Sequence, residues 1–270
     1  MDHVRSKDGT TIAFDRLGDG PPLILIGGAL SDRSAAASVS SGLATSFSAI
    51  AFDRRGRGDS GDTPPYAVER EVEDVEALID EAGGSAFVFG HSSGAALALV
   101  AALRGLPIPR LALYEPPFIV DDSRPPLPPD YVVHVDELVK EGRRGDAVEY
   151  FLTVGPMVPA EAVAGMRSSP MWPAFEAMAH TIAYDGAVMA DASSGSPEPL
   201  TRFADVTIPT LVMDGGASPP WIRATARTLA DTLPNSHHRT LEGQDHGPHD
   251  EVLVPVLVEF FTAGRHTEGP

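Results

Sequence analysis

Short apolar runs punctuate the first half of the chain and alternate with longer amphipathic or alanine-rich stretches. Residues 23–26, Ser48–Phe52, 86–89 and Leu111–Tyr114 are apolar along their length rather than at every second position. That is the pattern of strands covered on both faces. An earlier strand is predicted at 11–15, after the Asp8-Gly9 turn. Between the strands, Val68, Val72, Val75, Leu78 and Ile79 recur at helical spacing, which predicts a helix over 66–81 stopped by Gly83-Gly84. Residues 93–104 are almost wholly apolar and predict a buried helix. Late in the chain the pattern predicts strands at 211–213 and 238–241 and helices at 220–233 and 252–261. The rhythm is βαβ, and it implies an α/β fold with a mostly parallel central sheet and helices on both faces.

The rhythm breaks over residues 116–200. This stretch opens with Pro116, Pro117, Pro125, Pro126, Pro128 and Pro129 and then loses the strand-helix alternation. It reads as a helical cap inserted into a core domain made of 1–115 and 201–270. Met157, Met166, Met171, Met178 and Met189 fall here with Trp172, Phe175 and Tyr184, an adaptable apolar set. Two roles stay open for it: an inner surface facing a substrate, or the packing of the cap's own small core.

Composition narrows the function classes. A formal net charge of −18, with no dense Lys/Arg cluster, argues against nucleic acid and anionic lipid as partners. The absence of cysteine removes disulfides, thiolate nucleophiles and thiolate zinc sites together. Asp2, Arg5, Lys7 and Asp8 interrupt the first residues, so no secretory signal is expected there and a cytoplasmic location is. No window approaches the apolar length of a membrane span. The expected partner is a small-molecule substrate; oligomeric state is left open, a homodimer included.

Chemistry concentrates at Gly90-His91-Ser92-Ser93-Gly94, between the strand at 86–89 and the helix from 93. A strand turning sharply into a helix forces its central residue to positive φ and needs small neighbours where the chains approach. Ser92 would then stand exposed at the carboxyl end of the sheet as a nucleophile. The Ser93 N–H, in the first helical turn, would face the oxyanion of a tetrahedral intermediate.

With these residues the chain resembles, over essentially its whole length, an actinobacterial-type, lidded serine hydrolase of the α/β-hydrolase superfamily. Gly27-Gly28-Ala29 is similar to the family's oxyanion loop, with Gly27 where a histidine is usual, and the resemblance makes the Ala29 N–H the second oxyanion donor. The run from Asp53 to Ser60, DRRGRGDS, resembles the family's arginine- and glycine-rich turn, whose role is structural. Its glycine spacing fits neither a P-loop nor a dinucleotide fingerprint. Leu241-Glu242-Gly243-Gln244-Asp245-His246 occupies the position of the catalytic histidine, and His246 can take the Ser92 proton and return it to the leaving group. The acid departs from the pattern, since its usual position is Ser218. Glu115, after the preceding strand, and Asp214 are the two carboxylates that can replace it, with Glu115 slightly favoured; otherwise the triad is a dyad. Gly28, His91, Met171, Trp172 and Phe175 are the candidate substrate contacts.

The function this implies is esterase-like hydrolysis of a small, mostly apolar ester, thioester, lactone or amide through an acyl-serine, with no metal or organic cofactor. Serine at the elbow argues against the epoxide hydrolase and dehalogenase branches. The same fold leaves open an acyltransferase, perhydrolase, lyase or cyclase, or carbon-carbon hydrolase, and a ligand-binding module with little turnover.

Overall fold

The computed structural model describes residues 1–263; residues 264–270, at the end of the predicted core segment, lie outside the described residues. The strands are β1 (Asp2–Arg5), β2 (Thr11–Leu17), β3 (Pro22–Ile26), β4 (Ser48–Phe52), β5 (Phe87–His91), β6 (Leu111–Tyr114), β7 (Thr210–Gly215) and β8 (Ser236–Leu241). The α-helices are α1 (Ala37–Leu43), α2 (Val68–Glu81), α3 (Ser93–Leu103), α4 (Tyr131–Lys140), α5 (Arg144–Val154), α6 (Ala160–Arg167), α7 (Trp172–Met178), α8 (Thr181–Met189), α9 (Pro220–Thr232) and α10 (Asp250–Thr262). The strands form one sheet in the order β1-β2-β4-β3-β5-β6-β7-β8. Pairing is antiparallel for β1 with β2 and β2 with β4, and parallel from β4 onward. A mostly parallel sheet with helices on both faces is the α/β arrangement that the alternating pattern predicted, and the α/β-hydrolase fold is the one that the resemblance implied.

The continuous apolar runs end up buried on both faces because each face carries helices. On one face Ile24, Ile26, Val88 and Leu113 pack with Val75, Leu78 and Ile79 of α2 and the alanine-rich α3. On the other, Leu23, Leu25, Phe87, Phe89 and Tyr114 pack with Leu43 of α1 and Leu253, Leu257 and Phe261 of α10. Each large apolar side chain so buried stabilises the fold by about 1.5–3 kcal/mol. α3 runs through the middle of one layer with most of its residues buried, so the start of that helix is held firmly where the chemistry sits.

β1 and α1 were not foreseen. β1 is an exposed edge strand with little apolar signal, paired only to β2. α1 has the sequence ASVSSGL, whose serines and glycine favour caps and turns over helix interiors; packing on α10 and β4 overrides that preference. Between β6 and β7 lie α4 to α8, with a separate apolar cluster of Tyr131, Val135, Leu138, Val148, Leu152, Trp172 and Ile182. Among the described residues no helix is long and apolar enough to cross a membrane.

Candidate active site

Ser92 is the single residue between β5 and α3, with φ 56° and ψ −127°. Such a conformation costs a residue with a Cβ on the order of 1–3 kcal/mol and persists only where the surroundings over-determine it. They do so here. The Ser92 N–H donates to the Tyr114 carbonyl (2.9 Å), and its own carbonyl accepts from the Ala95 N–H (2.9 Å). A Cβ on Gly90 would lie 2.6 Å from the Ala95 Cα, and one on Gly94 would run into the Ile26 and Gly27 carbonyls. A Cβ on Gly28 would come within 2.9 Å of the Ser92 Cβ. The glycines let strand, helix and the 27–29 loop converge on one hydroxyl. Ser93 opens α3, so its N–H is among those that have no partner within the helix. Ala29 lies on the same cavity wall as Ser92 and Ser93.

His246 stands in the loop after β8, and two hydrogen bonds from neighbouring strands fix that loop. The Tyr114 hydroxyl donates to the Asp245 carbonyl, and His91 Nε2 lies 2.7 Å from the His246 carbonyl oxygen. His246 Nδ1 meets Glu115 Oε2 at 2.6 Å, while Glu115 Oε1 accepts from the Gly215 N–H at 2.7 Å. Glu115 is fully buried. Burial opposes its charge, but the hydrogen bonds from His246 and Gly215, with the Ser218 hydroxyl nearby, outweigh that and hold the carboxyl below its ordinary range. An ionised Glu115 can only accept, so Nδ1 carries the His246 proton and Nε2 is left as a proton acceptor.

The alternative acid, Asp214, is placed elsewhere. Tyr114 pairs with Met213 across β6 and β7, which sets Glu115 beside Asp214 at the strand ends. Yet the Asp214 oxygens face Arg223 Nε (3.5 Å) and His238 Nε2 (3.3 Å), on α9 and β8, and not His246. Glu115 has φ 48°, and this turn swings its carboxylate to the Gly215–Ser218 loop, where Ser218 stands in the usual acid position. Of the two candidate carboxylates, the one that meets His246 is therefore Glu115, one strand before the usual position.

His91 is the last residue of β5 and contacts the histidine loop, its ring centroid 4.8 Å from that of His246. Because a carbonyl oxygen only accepts, Nε2 of His91 carries a proton. Burial and the adjacent His246 push its pKa from 6.5 down to about 4. An unfolded histidine would gain its proton at 6.5 and the folded one does not, so this group removes stability as pH falls from 6.5 towards 4, and its effect levels off below that. A His91→Gln protein should therefore lose less stability than wild type between those values; parallel slopes in urea titrations across that range would show that His91 does not carry the effect.

Ser92, His246 and Glu115 line one cavity of about 610 Å³. Gly28 and His91 line it too. The helical segment contributes Leu127, Tyr131, Phe151, Leu152, Val158 and Met189. Met171, Trp172 and Phe175 do not line it. Met171 is 62% exposed, Trp172 is buried in the segment's own apolar cluster, and Phe175 packs against that cluster. Helices α6 and α7 lie away from the cavity, and α5 with the 124–127 segment faces it. Of the five methionines of this stretch, Met189 alone reaches the cavity wall.

The arginine-rich turn forms a buried ionic lattice. Arg54 bonds Glu71 through Nε (2.7 Å) and Nη2 (2.9 Å) and reaches Asp185 through Nη1 (2.6 Å). Arg55 is clamped by Asp74 and Asp8. Arg57 Nη2 bridges both Asp185 oxygens (3.0 and 2.8 Å), and its Nη1 holds the Gly28 carbonyl. Asp185, on α8, went unnoticed in the sequence. Its signal was a lone acid inside the apolar run Thr181–Met189, a burial that requires a cationic partner.

The alpha/beta hydrolase family model matches residues 23–256. An alpha/beta hydrolase from Sphaerobacter thermophilus DSM 20745 is 61% identical, with a TM-score of 0.90 over 97% of this chain and 100% of that one. The enol-lactonase from Burkholderia xenovorans LB400 is 20% identical (TM-score 0.72, covering 97% and 100%), and the esterase RhEst1 from Rhodococcus sp. ECU1013 is 20% identical (TM-score 0.70, covering 97% and 98%). These two share the fold. No curated protein matches the chain. The matched span runs from the first parallel strand into the closing helix and takes in Ser92, Glu115 and His246: the chain belongs to the alpha/beta hydrolase family and is a hydrolase.

Proposed function

We propose that the protein hydrolyses a small, mostly apolar ester, thioester, lactone or amide through an acyl-Ser92 intermediate. The observation that carries this reading is the convergence of a positive-φ serine and a carboxylate-anchored histidine on one cavity: Ser92 at φ 56°, and Glu115 Oε2 2.6 Å from His246 Nδ1. In the first half-reaction His246 Nε2 takes the Ser92 proton as Oγ adds to the carbonyl carbon, and the oxyanion is met by the Ala29 and Ser93 N–H groups. The tetrahedral intermediate then collapses, and the histidine passes its proton to the leaving alcohol, thiol or amine. Water, deprotonated by the same nitrogen, attacks the acyl-serine in the second half and releases the acid. Glu115 holds the Nδ1–H tautomer and offsets the imidazolium charge. Residues 116–200 act as the cap over this reaction, the core being 1–115 with 201 onward.

The test is intact-mass analysis after treatment with a small fluorophosphonate. Wild type should gain one adduct, Ser92→Ala none, and His246→Ala should label orders of magnitude more slowly, in line with the roughly 10²–10⁴-fold that a general base contributes. Absence of labelling in the folded wild type would end the acyl-serine reading.

A further inference from the structure

Four arginines are buried among the described residues: Arg54, Arg55, Arg57 and Arg124. The first three are matched to carboxylates, as described above. Arg124 is not. Its Nε donates to the Pro125 carbonyl (3.1 Å), one Nη to the Gly155 carbonyl (2.6 Å) and the other to the Val154 carbonyl (2.8 Å). Its guanidinium lies 4.6 Å from the centroid of the Trp221 ring. No acid enters this set, and each Nη carries a second N–H beyond those bonds.

The position matters because Arg124 and Trp221 both line the cavity that holds Ser92 and His246. The other charged groups of that wall, apart from Asp250 in the first turn of α10, are committed. Arg33 is paired with Asp15, Asp53 and Asp59, Asp185 with Arg54 and Arg57, and Glu115 with His246. Asp32 caps the Ser34 N–H. A desolvated cation without a counter-charge is expensive, and in a chain of net charge −18 the shortage is not one of available acids. Burial pushes the Arg124 guanidinium down with no acid to offset it. The Tyr131 hydroxyl adds a second polar group: Tyr131 is 4% exposed, lines the same wall, and its hydroxyl makes no hydrogen bond among the described residues.

We propose that Arg124 is a specificity residue: it receives a carboxylate carried by the substrate at a distance from the scissile carbonyl, so the preferred substrates are monoanionic half-esters, or lactones and amides bearing a free carboxylate. The inference rests on the acyl-serine reading and narrows its substrate class. The apolar wall of Leu127, Phe151, Leu152 and Ile222 takes the connecting carbons, and the spare Nη–H groups take the carboxylate. A planar cation stacked on an indole is well suited to a planar anion, because the ring holds the fork in one orientation.

The experiment is calorimetric titration of the Ser92→Ala protein, which stops turnover, with the monomethyl esters of succinate, glutarate and adipate and with the corresponding neutral dimethyl esters. At least one half-ester should bind about tenfold or more tighter than its diester, the range expected for a charge-assisted bond. Arg124→Met in the same background should abolish that difference while leaving diester binding in place, and Arg124→Lys should keep part of it. Equal or weaker binding of every half-ester, no binding of any, or equal loss of both ester classes in Arg124→Met would overturn the proposal and leave Arg124 as a strut between α5 and Trp221. Should Arg124→Met not fold, the half-ester preference of the Ser92→Ala protein and its response to Arg124→Lys decide. Failure of the underlying reading has a separate signature: hydrolysis of the half-esters by wild type that persists in Ser92→Ala.

Discussion

Replacing Glu115 with Gln should lower kcat by about 10³–10⁴-fold, the scale set by loss of the productive histidine tautomer, whereas Asp214→Asn should leave kcat essentially unchanged. The first effect follows from the hydrogen bonds at the carboxylate. The Gly215 N–H donates to one Glu115 oxygen, and His246 Nδ1 meets the other. A glutamine must present its single oxygen to the Gly215 N–H or leave that buried donor unmet, at about 1–3 kcal/mol. With the oxygen so placed, the amide NH₂ faces His246 Nδ1. Two donors cannot face each other, so the imidazole moves its proton to Nε2 and no longer accepts from Ser92. Fluorophosphonate labelling rates and ester turnover in the two variants check this. A Glu115→Gln protein with near-wild-type turnover, or an Asp214→Asn protein that collapses while remaining folded, would return the acid to Asp214 or dispense with it.

The contrast also shows where the sequence could be read and where it could not. The elbow was legible because its demands are local: a strand, a turn with small neighbours and a buried helix are all written within residues 86–104. His246 followed from its place after the last strand. The acid was a choice between two residues at adjacent strand ends, and strand-end side chains are aimed by backbone angles that composition does not record. The φ of 48° at Glu115 aims its carboxylate at His246 Nδ1, and no composition or spacing announces that angle. The segment 116–200 was legible as helical but not in its orientation. Trp172 and Phe175 look like substrate contacts in a sequence, yet they serve the segment's own apolar cluster. Arg124, hidden in a proline-rich stretch that predicts no element, faces the cavity instead. β1 and α1 were missed because their stabilisation is tertiary, from pairing to β2 and packing on α10.

Asp185→Asn should destabilise the protein by about 3–5 kcal/mol, the usual effect of removing one partner from a buried ion pair, and lower Tm by on the order of 10 °C. Arg57 has no other carboxylate among its described partners, and its side chain is 1% exposed. Burial and the neighbouring Arg54 already push its guanidinium pKa down; without Asp185 the charge is uncompensated. Arg54 keeps Glu71 and should suffer less. The loss is not confined to stability. Arg57 also holds the Gly28 carbonyl, and Arg54 Nη1 contacts the Ser93 hydroxyl at 3.2 Å. The Asp185 carboxylate thus ties α8 to both backbone segments that supply the proposed oxyanion donors, and kcat should fall along with the unfolding midpoint. Adding Arg57→Met removes the stranded charge, so the double variant should regain part of the stability but not the turnover, because Gly28 stays unheld. The pH dependence provides a further check. Burial works against the Asp185 charge, but Arg57 and Arg54 hold its carboxyl below the ordinary carboxylate range. Its contribution is therefore complete above the unfolded carboxylate pKa and is lost as pH falls through the lowered folded value. Wild type and Asp185→Asn should differ most near neutrality and converge in acid. Urea midpoints that match at pH 7, or a double variant that regains turnover as well as stability, would show that this lattice does not position the oxyanion loop.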